Sequence, residues 1–259
     1  MHPLLLYGRR LVRHIVCATI LVLGATILPS GTALAVPLLD SNDDFKLLAR
    51  LGFEQAIDGA HAEGTDENDY AWSMAWFRGK LYVGTGQFQR DPITGLPGAG
   101  QIWAYTPGGP DGATGTWSRV FESPPGVIGY REAGYRWMTT CTFRGTEYLF
   151  VSTLGPLQGN ILYSADGVNF QPTSRTGMPS ATVGFRTITC FTEPTGRTVL
   201  AVSPVGKAGG PLTFDPDTSD NPIVLVNDDP TGGAPWRNYS AMRVGDSDNN
   251  VTSTLAAHG

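Results

Sequence analysis

The chain contains three stretches in which large apolar positions recur with a period of two, stop at a short polar turn and resume. The first runs Tyr70-Ala71-Trp72-Ser73-Met74-Ala75-Trp76-Phe77, turns at Arg78-Gly79-Lys80 and returns as Leu81-Tyr82-Val83-Gly84-Thr85. The second runs from Gly134-Tyr135-Arg136-Trp137-Met138-Thr139 to Phe143, turns at Arg144-Gly145 and returns as Tyr148-Leu149-Phe150-Val151-Ser152-Thr153. The third is Gly184-Phe185-Arg186-Thr187-Ile188-Thr189, a turn around Glu193-Pro194-Thr195-Gly196, and then Val199-Leu200-Ala201-Val202-Ser203. Aromatic and β-branched content around such turns predicts β-hairpins.

Each hairpin is followed by two more short apolar runs. These are Gln101-Ile102-Trp103-Ala104-Tyr105 and Trp117-Ser118-Arg119-Val120, then Ile161-Leu162-Tyr163-Ser164 and Phe170, then Ile223-Val224-Leu225-Val226 and Trp236. Four short antiparallel strands repeating at about 50 residues describe a propeller blade. The predicted fold is therefore all-β, a β-propeller of four-stranded antiparallel blades with about three blades present, at residues 67–122, 123–179 and 180–240. A β-sandwich with coincident spacing is the other architecture this pattern allows.

One turn carries a family likeness. Ser164-Ala165-Asp166-Gly167-Val168-Asn169-Phe170 resembles the Asp-box (BNR) turn of sialidase-type propellers, Ser-x-Asp-x-Gly-x-x-Trp, in which the aspartate caps the turn between two outer strands. Here the glycine directly follows Asp166 and Phe170 stands in place of tryptophan. The run Phe77-Arg78-Gly79-Lys80-Leu81-Tyr82-Val83-Gly84 is similar to kelch-like blades as well. The resemblance spans residues 69 to 240 and implies architecture, with Ser164, Asp166, Gly167 and Phe170 as structural turn residues. Fold analogy alone does not assign an activity.

Closed propellers usually have four to eight blades, and an open array leaves a blade face and a strand edge uncovered. Residues 36–66, with Phe45, Leu47, Leu48, Leu51 and Phe53, offer a ring-closing outer strand, whereas residues 241–259 read as a polar tail. The sequence thus reads as the N-terminal part of a longer propeller, or as a half-ring that associates with itself if three blades are the whole protein.

Composition sharpens this picture. The 259 residues include 33 Gly and 19 Pro, about a fifth of the chain against a usual ~12%, as expected of turn-rich β structure. Residues 1–35 place Arg9, Arg10 and Arg13 ahead of an apolar run from Ile15 to Leu28 and end in Ala33-Leu34-Ala35, the pattern of a secretory signal peptide cleaved near Ala35. A secreted or periplasmic protein is expected, with no membrane association after cleavage. The formal charge is −5 and becomes more negative once those three arginines leave, so nucleic acid, which needs a basic stripe, is not an expected partner.

The candidate chemistry is sparse. Beyond the signal peptide only His61 and His258 remain, and no His-rich metal site or nucleophile elbow is visible, so neither a metal nor a cofactor is expected. Asp215, Asp217, Asp220, Asp228 and Asp229 lie in or beside a Pro/Ser/Thr-rich loop without an ordered calcium-ligand spacing. Arg136 and Arg186 follow Gly-aromatic pairs at the start of two successive inner strands, where paired guanidinium groups suit a carboxylate or sulfate. Trp72 holds the same place in the first blade, and with Tyr135 and Trp137 it offers faces for sugar rings. Each of these has a structural alternative, the arginines as ties to acids such as Glu132 or Asp69 and the aromatics as core. A carbohydrate or anionic small ligand is the expected partner. The leading reading is an exported binding module, with a sialidase-like glycoside hydrolase and a protein-interaction scaffold as the other classes.

Cys141 and Cys190 remain after cleavage. In an exported protein such a pair invites a disulfide, but setting Met138 against Ile188 places Thr140, not Cys141, at the position equivalent to Cys190. Opposite strand faces and free thiols are therefore the favoured expectation, with the disulfide as the alternative.

Overall fold

A computed structural model describes residues 70–87, 99–109, 115–124, 132–155, 158–180, 182–205, 207–208, 214–215, 223–240 and 255. The predicted N-terminal signal, the segment 36–66, His61, Asp69 and His258 lie outside them. The first blade is a meander of β1 (Tyr70–Phe77), β2 (Lys80–Gly86), β3 (Gln101–Thr106) and β4 (Thr116–Glu122), each antiparallel to the next. The second repeats it with β5 (Gly134–Phe143), β6 (Thr146–Leu154), β7 (Ile161–Ser164) and β8 (Gln171–Pro172). In the third, β9 (Gly184–Thr192) and β10 (Thr198–Val205) are followed by a short hairpin, β11 (Lys207–Ala208) with β12 (Phe214–Asp215), before β13 (Leu225–Asn227) and β14 (Arg237–Asn238) complete the blade. The fold is all-β, a propeller arrangement of which three antiparallel blades are described.

The turns that join inner strands to their partners follow from their residues. Arg78-Gly79 and Arg144-Gly145 have φ of 48° and 76°, and of 52° and 78°. Two successive positive φ values give the turn whose twist matches a right-twisted hairpin. The blades meet at their necks through single backbone pairs, Gly86 with Gly134 and Leu154 with Gly184. Inner strand β1 thereby neighbours β5, and β5 neighbours β9.

Apolar faces fill the two junctions. Between blades 1 and 2, Phe77, Tyr82, Ile102 and Ala104 meet Tyr135, Met138, Leu149, Val151 and Leu162. Between blades 2 and 3, Cys141, Phe143, Phe150 and Ile161 meet Phe185, Ile188, Leu200, Val202 and Leu225. Each large side chain so buried contributes on the order of 1.5–3 kcal/mol, and alternation along each strand supplies one set to each side.

The expectation of free thiols is overturned: Cys141 and Cys190 form a disulfide with a Cα–Cα separation of 5.6 Å. The parity deduced from the sequence holds, because Cys141 pairs with Tyr148 on one face of blade 2 and Cys190 with Leu200 on the other face of blade 3. In stacked blades it is the opposite faces of successive sheets that touch. Opposite parity is therefore the condition for the bond.

The turn after β7 is built on Asp166. Its Oδ1 accepts the backbone N–H groups of Val168 and Asn169 at 2.8 Å, and the Ser164 hydroxyl donates to it while accepting the Gly167 N–H. These hydrogen bonds hold the carboxyl well below the usual carboxylate range. Gly167 has φ 79°, and a Cβ there would run into the Tyr82 hydroxyl of blade 1, so this position needs glycine for both conformation and space. Two boundaries differ from expectation: β8 and β14 begin one residue after Phe170 and Trp236. Within the segment read as a polar tail, the Leu255 N–H donates to Thr187 Oγ1 at 3.1 Å, which sets that residue against blade 3.

Candidate functional site

The inner strands share an irregularity that fixes the site. In blade 1 the register passes from Ala71 opposite Thr85 to Ser73 opposite Gly84, with Trp72 as the extra residue of the bulge. In blade 2 it passes from Tyr135 opposite Thr153 to Trp137 opposite Ser152, with Arg136 as the extra residue. In blade 3 it passes from Phe185 opposite Pro204 to Thr187 opposite Ser203, with Arg186 as the extra residue. One bulge thus recurs at the same register position in three successive inner strands, and a bulge re-aims the side chain of its extra residue.

The residues in these bulges are held differently. The Trp72 ring lies on the neck between blades 1 and 2: a Cβ on Gly134 would sit 2.6 Å from it, and one on Gly86 3.0 Å away. The Arg136 guanidinium carbon stands 5.4 Å from the Trp72 ring centroid, a cation–π contact between neighbouring blades. Just inside the bulge, the Ser73 hydroxyl donates to the Tyr135 carbonyl at 2.8 Å and ties β1 to β5. A cleft of ≈ 280 Å³ opens between these strands, lined by Trp72, Ser73, Met74, Trp137 and Met138.

The remaining sequence candidates separate. Trp137 is half-buried, packing on the core between blades 2 and 3 while lining the cleft. Tyr135 is fully buried, its ring 5.9 Å from that of Phe121, so it packs blade 1 on blade 2 and has no face free for a sugar. Arg186 is partly buried on β9. Asp228 and Asp229 are engaged by arginines: Arg197 and Arg237 bond Asp228 at 3.0 and 3.2 Å, and Arg144 bonds Asp229. Among the described residues no group of three or more His, Cys, Asp or Glu side chains is placed to hold a metal.

Glu132, which the sequence offered only as an ion-pair partner, stands two residues before β5. Its backbone N–H donates to Ser123 Oγ, just after β4, at 2.8 Å, and its carbonyl accepts from the Gly100 N–H, just before β3 of blade 1. Its Oε1 accepts from Asn160 Nδ2 in blade 2 at 2.8 Å. Burial pushes this carboxyl above its ordinary range, against the opposing hydrogen bond from Asn160. The Tyr135 hydroxyl is pushed up as well, first by its burial and then by the Glu132 charge. A tyrosine and a glutamate therefore lie together here, but the tyrosine is sealed in the blade interface and out of reach of a ligand.

No protein-family model matches the chain, and no curated protein matches it. Among solved structures it is similar to a glycoside hydrolase family 43 β-xylosidase/α-arabinofuranosidase from a compost microbial metagenome in complex with xylotriose, at 13% identity and TM-score 0.33, over 64% of this chain and 57% of that one. It is likewise similar to a Bombyx mori family 32 β-fructofuranosidase in complex with sucrose, at 15% identity and TM-score 0.39, over 69% of this chain and 38% of that one. A family 43 enzyme from Xanthomonas citri complexed with xylose gives 13% identity and TM-score 0.35, over 67% and 56%. The chain thus spans less than two thirds of each of these proteins. At such scores the fold rests on the strand pairing described above.

Proposed function

We propose that this is an exported propeller protein that binds a carbohydrate or another small anionic ligand at the bulged ends of its inner strands. The observation that carries the reading is the repetition of the bulge with Trp72, Arg136 and Arg186 as its residues. Two guanidinium groups suit carboxylate or sulfate through paired hydrogen bonds, and the adjoining Trp-lined cleft suits the apolar face of a ring. Export is supported by the Cys141–Cys190 disulfide, since such bonds persist in oxidising compartments. The hydrogen-bonded Asp166 turn reads as a shortened Asp-box.

A second reading, a glycoside hydrolase, is favoured by Glu132, whose raised carboxyl value near the strand starts has the character of a proton donor. Both readings meet one experiment. The mature chain is titrated calorimetrically with uronic, sialic and sulfated sugars, beside the double variant Arg136→Ala, Arg186→Ala. Binding should vanish in the variant while its stability falls by no more than the roughly 1 kcal/mol of the Arg136–Trp72 contact. Loss of binding matched by loss of fold removes the binding reading. Release of new reducing ends that depends on Glu132 moves the assignment to the hydrolase.

A further inference from the structure

Four large apolar side chains are exposed among the described residues, and two of them, Met74 at 64% and Trp76 at 58%, share one face of β1. Their place in the repeat gives that face a meaning. Met74 pairs with Val83 as Met138 pairs with Val151 and Ile188 with Val202. Trp76 pairs with Leu81 as Thr140 pairs with Leu149 and Cys190 with Leu200. In blades 2 and 3 these positions form the face that packs on the preceding blade, and Met138, Leu149, Val151, Ile188, Leu200 and Val202 are buried there. In blade 1 the outer part of the equivalent face, Val83, Trp103, Tyr105 and Trp117, is also buried, and the inner-strand part is left open.

The far end of the array differs. On the outward face of blade 3, Thr187, Val199, Ala201, Ser203 and Val226 are all at most 2% exposed, and Leu255 is hydrogen-bonded to Thr187. That end is already covered within the molecule. A second copy therefore has no open blade-3 face to offer, and the open apolar blade face among its described residues is again that of blade 1. A patch that meets itself gives a closed two-fold pair rather than a growing chain.

We propose that two copies of this chain associate through blade 1, β1 facing β1, with Met74 and Trp76 at the centre of the contact. The contact continues the series of blade-on-blade interfaces that the repeat already makes twice inside the chain. A buried tryptophan flanked by a methionine is a common anchor of such interfaces.

Sedimentation velocity of the mature chain, from about 1 to about 100 μM, tests this. The wild type should sediment as a dimer at the upper end, and Trp76→Asp should weaken association at least about tenfold, because an unpaired charge would be buried at the contact. Trp76→Thr, with the residue that blade 2 carries at this position, provides the same reading should the Trp76→Asp variant lose its near-UV circular dichroism. A wild type that stays monomeric at the upper concentration overturns the proposal, as do undiminished dimers in both variants or a ladder of larger species. The ligand reading fails or survives separately, because Trp76 lies four residues from the bulge, about 14 Å at the strand rise of ~3.4 Å, and its substitution should leave sugar binding unchanged.

Discussion

The two junctions between blades use the same register and hold it by different means. Between blades 2 and 3 the inner strands are joined covalently by Cys141–Cys190, and Arg144, in a blade-2 turn, reaches Asp229 of blade 3. Between blades 1 and 2 the described residues supply no covalent bond. That junction depends on the packing of Tyr82, Tyr135 and their neighbours, on the Ser73–Tyr135 hydrogen bond, and on Glu132 spanning the neck. One repeat can thus produce a cross-linked joint and a joint held by packing and a buried carboxyl. The second kind is expected to respond to pH and the first to reductant.

Removing the cross-link should have the largest effect. The bond closes a sequence separation of 49 residues, for which loss of a native disulfide typically costs about 2–4 kcal/mol through the unfolded chain. The double variant Cys141→Ala, Cys190→Ala should lower the urea midpoint accordingly, and reducing the wild type with dithiothreitol should bring it close to the variant. If oxidised wild type and variant share a midpoint, the two joints do not differ in the way their geometry indicates.

Glu132 gives the next largest effect, on the other joint. Its folded pKa is raised above the ordinary value of 4.5. In the folded chain the proton is therefore retained at pH values where the unfolded chain has released it. The stability linked to this group is complete below the unfolded value and is lost as pH rises through the folded one. Glu132→Gln keeps an oxygen to accept from Asn160 and does not titrate. The variant should gain in Tm relative to wild type between about pH 4 and pH 7. A difference that stays constant across that window would show that the carboxyl is not the titrating element. Asp166 has the opposite sign, but its lowered value puts its loss at more acidic pH. Tyr135, the other titratable group at Glu132, is shifted upward and away from the window.

The sequence made the hairpins legible because their signals are local: an Arg-Gly turn, a period of two, a repeated Gly-aromatic start. It also aligned Trp72 with Arg136 and Arg186, which proved to share a bulge, although the bulge itself left no local mark. The disulfide is hidden because parity along one sheet argues against it, whereas Cys141 and Cys190 belong to facing sheets. Glu132 reads in the sequence only as an ion-pair partner, since its hydrogen-bond partners Ser123 and Asn160 lie far apart along the chain, one beside β4 and the other beside β7. The β11–β12 hairpin has no signal in the sequence because two-residue strands such as Lys207–Ala208 carry no period.

The smallest effect separates the joints most finely. Arg78 and Arg144 occupy the same left-handed position in identical turns, where asparagine fits better than arginine. Arg78 leans over the Phe77 ring at 5.4 Å, within its own blade, whereas Arg144 crosses to Asp229, whose Oδ1 is fixed by the Gly232 N–H at 3.1 Å. Arg78→Asn should leave urea stability within about 0.5 kcal/mol of wild type. Arg144→Asn should fall below it by up to about 1 kcal/mol, the range of an exposed ion pair. In about 1 M NaCl, where screening acts within ~3 Å, the gap between the two variants should close. A gap that survives the salt would mean that Arg144 steadies blade 3 by the packing of its aliphatic stem, so that only the disulfide and the aromatic core distinguish this joint from the one at blade 1.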